Sequence, residues 1–125
     1  MNRVSEHRET LWLLPAAPTV WALHFMASYV TAAIWCGRVA GPAGSLGTAR
    51  SAIAAYTVVA LVGIAAIGYT GLRRHRPRSA TPPHDDDTPE DRHRFIGYSA
   101  FLLAGISAIA VCYAAMAIVF IEGCQ

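Results

Sequence analysis

With 125 residues the chain has room for one domain, and its 54% hydrophobic against 14% charged residues sets it apart from soluble domains, which carry about 25% charged residues. The formal charge of +2 is too small to hold nucleic acid, which leaves the lipid bilayer as the expected environment. All ten basic residues are Arg and none is Lys, the usage of a GC-rich bacterial genome.

About 20 apolar residues cross roughly 30 Å of hydrocarbon. Three segments reach that length without Asp, Glu or Arg: about residues 11–36, 52–72 and 95–121. They predict an all-α integral membrane bundle of three transmembrane helices forming one domain over residues 1–125. The expected helices cover about residues 11–36, 52–72 and 89–121.

The first segment does not read as a cleaved signal peptide, because Trp12, Trp21, His24 and Trp35 interrupt it and no small-residue cleavage site follows a short apolar core. Pro15 and Pro18 each remove a backbone donor and disfavour helix at the preceding residue, so the helix proper is expected to start near Pro18. Trp12 and Trp35 would mark the two interfaces. In the second segment Gly63 and Gly68 suggest close helix contact.

The stretch from Arg73 to Arg94 carries Pro77, Pro82, Pro83 and Pro89 with no apolar run in its middle, so it is expected to be a partly disordered loop. Its end is more specific. Thr88 followed by Pro89, Glu90 and Asp91 fits an N-cap, a first-turn Pro and two first-turn acids, which extends the third helix below the membrane into the cytoplasm. The acidic stretch from His84 to His93 lacks the spacing of a calcium loop and reads as a solvated segment.

Orientation follows from Arg. The N-terminal tail and the second loop hold Arg3, Arg8 and six more, whereas the first loop holds Arg38 and Arg50 and the C-terminal tail holds none. Basic residues near short loops stay on the cytoplasmic side, so the expected protein is multi-pass in a bacterial inner membrane, with a cytoplasmic N-terminus and a periplasmic C-terminus.

His24 is the one ionisable group deep in a span, a costly placement that makes it a functional candidate by default. A packed histidine satisfied by Ser, Thr, Tyr or a carbonyl is the plainer alternative. Steps of four join His24, Ser28, Ala32 and Cys36 into one stripe expected to meet another helix. On the third segment Ala100, Ala104, Ala108 and Cys112 form a similar small-residue stripe, with Gly97 and Gly105 nearby and Cys112 expected as a small packing residue. A haem needs a second axial ligand at the depth of His24, and neither Met26 nor Met116 is placed to supply it.

Cys36 and Cys124 are expected to emerge on the same outer side, at the ends of the first and third helices. Three readings stay open: a disulfide, which would draw the His24 stripe toward the third helix; a soft copper(I) site, with Met116 as a further donor; and two unpaired thiols. No constellation of side chains resembles a self-sufficient catalytic site, and no enzyme activity or resident cofactor is expected.

The stretches LWLLPAAPTVWALHFMASYVTAAIWC and PHDDDTPEDRHRF, with the closing apolar helix that ends near Cys124, resemble a family of small uncharacterised proteobacterial membrane proteins. The genes of that family commonly lie near those of terminal cytochrome oxidases and their copper-insertion factors. The resemblance implies an accessory subunit or assembly helper of a respiratory haem-copper oxidase, with the oxidase subunits as partners. A copper-handling protein using Cys36 and Cys124, and a minimal transporter or proton path centred on His24, are the alternative expectations.

Overall fold

A computed structural model describes residues 2–75 and 89–124. Among these residues there are three long helices and no strand: α1 (Asn2–Ile34), α2 (Gly47–His75) and α3 (Pro89–Phe120). All three are long and apolar enough to cross a membrane. The chain is an all-α membrane bundle of three helices.

Helix α1 is longer than its Pro residues suggest. It runs unbroken through Pro15 and Pro18, starting well before both Leu11 and Pro18. Proline is tolerated in membrane helices where neighbouring groups take up the freed backbone. One turn after Pro15, the Thr19 hydroxyl donates to the Pro15 carbonyl at 2.7 Å. Thr57 and Thr70 in α2 likewise donate to Ile53 and Ala66, each four residues back and each at 2.8 Å. The helix backbone thereby accepts hydroxyl protons that lipid could not.

After Ile34 the chain widens into a six-residue π-helical turn, Trp35–Ala40, which stops at Gly41 with φ 69° and ψ 179°. Only glycine adopts that backbone readily, because a Cβ would clash there. A turn closed by the Gly44 amide on the Gly41 carbonyl then leads into α2.

The α2–α3 interface is the most extensive of the three, and α1 lies against both partners. Its core is built from Ala17 of α1, Ala60 and Ile64 of α2, and Ala104 and Val111 of α3. The closest approach is at Gly71, where a Cβ would stand 2.7 Å from the Gly97 carbonyl oxygen, and a Cβ at Gly68 would stand 3.2 Å from that of Ala104. Gly63 and Gly105, by contrast, have nothing within 4 Å of a Cβ position. Of the four glycines expected to favour close contact, Gly68 and Gly97 lie at one, Gly63 and Gly105 do not, and Gly71 joins them unannounced.

The stripe on α3 also bends away from the interface. Ala100 and Ala104 are buried, Ala108 is half-buried and Cys112 is exposed. Four residues overshoot a 3.6-residue turn by about 40°, so three such steps carry Cys112 roughly a third of the way round the helix. The inward face continues through Ser107 and Val111 instead. Cys112 therefore faces out of the bundle and is not a packing residue. Thr88, the expected cap of α3, and the 76–88 part of the loop lie outside the described residues.

Candidate functional site

The polar chemistry of the bundle gathers at two places. The first is within the span. His24 sits ten residues before the end of α1, about 15 Å along a helix that rises 1.5 Å per residue, which is half the thickness of the hydrocarbon. His24 and Ser28 are 4% and 3% exposed, and Ala32 and Cys36 further along the stripe are half-buried.

His24 Nε2 lies 3.0 Å from the Thr57 Oγ1. Thr57 has one hydroxyl proton, and it is already directed to the Ile53 carbonyl. With that proton engaged, the Thr57 oxygen is left to accept from His24 Nε2, which assigns the ring the tautomer protonated there. The neutral ring then presents Nδ1 as a bare acceptor. Neither that nitrogen nor the Ser28 Oγ has a hydrogen-bond partner, and both atoms are buried. An acceptor and a hydroxyl donor thus stand one helical turn apart on α1, both desolvated, at a depth where unmatched polar atoms are expensive. On α3, Ser107 is also buried.

The His24 stripe meets another helix as expected, and its hydrogen bond goes to α2. Thr57 carries no sequence mark that separates it from Thr70, whose hydroxyl simply bonds its own helix. Among the described residues no three His, Cys, Asp or Glu side chains converge.

The second place is the end of the bundle that carries the cysteines. Cys36, in the π-helical turn, is joined to Cys124 by a disulfide, with the Cα atoms 5.5 Å apart and a sequence separation of 88. Sulfurs bonded to each other are not thiolates, and they do not fit a soft-metal site in this state. Met116 is half-exposed on α3.

Other bonds surround the bridge. Trp35 Nε1 donates to the Ser45 carbonyl at 3.0 Å, and Ser45 pairs with Gly123 in an isolated antiparallel bridge. From the first turn of α2, Arg50 donates to the carbonyls of Val119, at 3.3 Å, and Ile121. A cation on the last carbonyls of α3 satisfies acceptors that no amide reaches and opposes the negative end of the helix dipole. Arg50 was legible only as one of two outer charges, and this structural role was not.

Comparison with known protein families, characterised proteins and solved structures finds no match to the chain.

Proposed function

We propose that the chain is a small accessory subunit or assembly helper of a larger membrane complex, lying in a bacterial inner membrane with its N-terminus cytoplasmic and its cysteine-bearing end periplasmic. The partner named by the family resemblance is a respiratory haem-copper terminal oxidase. The reading rests physically on how little of the bundle is interior. Only 11%, 22% and 17% of the residues in the most apolar stretches of the three spans are buried. So small an interior suits docking on a partner better than conduction through a single copy, which ranks a path centred on His24 below the accessory role.

The orientation rests on eight Arg against two. One of the two outer Arg, Arg50, has a local reason to be there, since it caps α3. A periplasmic placement of Cys36 and Cys124 is also consistent with an oxidised pair. The copper-handling alternative requires that pair to be reduced.

The test is recovery of a tagged chain from native membranes in mild detergent, followed by identification of what accompanies it. Oxidase subunits, retained at similar yield across mild detergents, are the expected result. Recovery of the chain alone or only with unrelated membrane proteins would remove the oxidase assignment.

A further inference from the structure

Between α2 and α3 an open apolar groove of about 340 Å³ runs along the surface. Its sides include Ala65 and Gly68 on α2 and Ala104 and Gly105 on α3, with Tyr69 and Phe101 among the larger lining residues. The groove exists because the two helices approach at glycine and alanine and leave small side chains facing outward beside the contact. A Cβ at Gly105 would meet nothing within 4 Å. In a bilayer such a groove does not stay empty, since its lining would lose dispersion contacts.

The charge at its mouth selects the occupant. Tyr69 lines the groove, and the Arg73 guanidinium, one turn further along α2, stands over the Tyr69 ring at 5.8 Å from its centroid. Gly71 packs against Gly97, so the antiparallel run of the helices sets the Arg73 level near that of Arg94 on α3. Arg74 and Arg92 lie beside these two in sequence and Asp91 beside Arg92, and Arg74, Asp91, Arg92 and Arg94 each hold an interaction of their own, which leaves Arg73 as the cation at the groove. A groove sized for slender apolar groups therefore opens beneath the Arg73 guanidinium at the end of the span. The apolar face of a partner helix would fill the groove but would not require the cation; a phospholipid with a negative headgroup uses both.

We infer that the α2–α3 groove binds an anionic phospholipid of the leaflet at the Arg-bearing end, with an acyl chain along Ala65, Gly68 and Gly105 and its phosphate on Arg73. Guanidinium pairs with phosphate through two parallel hydrogen bonds, which an ammonium cannot do in the same way. The zwitterionic choline headgroup carries its own cation and competes poorly for that position. This inference does not depend on which complex the protein joins.

The experiment is native mass spectrometry of the full chain released from vesicles of equal parts phosphatidylglycerol and phosphatidylcholine, with the oxidised disulfide intact. Bound phosphatidylglycerol is expected to exceed phosphatidylcholine by about fivefold, the ratio that one basic residue near the surface supports. Arg73→Gln should bring that ratio close to one while leaving helicity unchanged by circular dichroism. Gly105→Leu, which places a side chain where there is open space, should reduce retention of both lipids without loss of thermal stability. Equal retention of the two lipids by the unaltered chain, or an excess that survives Arg73→Gln, would overturn the assignment. So would a paired mass of two chains that disappears with Gly105→Leu, because the groove would then belong to a second copy.

Discussion

The two ends of this bundle are tied in different ways, one of them covalently. At the cysteine-bearing end the connections are directional: a disulfide, an indole donating to Ser45, a guanidinium on the last carbonyls of α3, and one antiparallel bridge between Ser45 and Gly123. At the Arg-bearing end α2 and α3 approach closely, Gly71 against Gly97 and Gly68 against Ala104, and Arg74, Asp91, Arg92, Arg94 and Tyr98 add contacts of their own. The difference follows the solvent. Lipid offers apolar helices no hydrophobic gain on meeting, so within the span they are stabilised by close backbone approach and a few hydrogen bonds. Beyond the hydrocarbon, short irregular segments have few apolar contacts to share, and polar or covalent links set their arrangement.

The largest expected effect comes from unlinking the first of these ends. Replacing both Cys36 and Cys124 by Ser opens a bond that spans 88 positions. Loss of a native disulfide typically costs 2–5 kcal/mol, and here the bilayer keeps the helices inserted even when they separate, which limits the freedom gained. A loss of about 2–3 kcal/mol is therefore expected in detergent-driven unfolding of the oxidised chain against the variant. A loss below about 1 kcal/mol would mean that Trp35, Arg50 and the Ser45–Gly123 pairing hold that end with little help from the bridge.

The second effect tests the other end. Gly71→Leu forces a side chain toward the Gly97 carbonyl, and overpacking of this kind typically costs 1–3 kcal/mol. Gly105→Leu is the control, since the same chemistry enters open space. The two variants should separate clearly in the same unfolding assay. If they lose equal stability, close approach at Gly71 is not what joins α2 to α3.

Much of this contrast could be read from the sequence, and the unread part has a physical pattern. The three spans were legible because bilayer thickness sets a minimum apolar length that chance seldom supplies. His24 stood out as the lone ionisable group at depth, and the end-of-span positions of Cys36 and Cys124 made a bridge one of three open readings. Partnership was harder. Gly63, Gly68, Gly71 and Gly105 look alike in sequence, and only the rotation of each helix decides which one meets a neighbour. Gly71, one residue before the expected end of its segment, carried no mark in the sequence, yet a Cβ there would meet the Gly97 carbonyl. A strict four-residue step placed Ala100 and Ala104 correctly and then carried Cys112 off the face. Arg50 weighed in as a charge, while its partners lie some 70 positions away, at a distance no local pattern spans.

The smallest effect concerns the middle of the bundle, where both styles of attachment meet. Within the span His24 reaches across from α1 to Thr57 of α2. Thr57→Val keeps the shape of the side chain but removes the acceptor, so the buried Nε2–H is left without a partner. Hydrogen bonds between membrane helices average about 0.6 kcal/mol and reach about 1.7, and a loss in that range is expected. Thr70→Val supplies the reference, because its hydroxyl bonds only the Ala66 carbonyl of its own exposed helix face. The protonation pattern gives a second readout: nitrogen-15 shifts of the His24 ring should show a proton on Nε2 and none on Nδ1 in the unaltered chain. Adding His24→Leu to Thr57→Val should return part of the stability, since removing both partners leaves no buried polar group unmatched, whereas His24→Leu alone leaves the Thr57 oxygen bonded through its own proton to Ile53. Additive losses in this cycle, together with a proton found on Nδ1, would break the contact between α1 and α2. The first helix would then be tied to the others chiefly through its cysteine-bearing end, and the balance between the two ends would shift toward the covalent one.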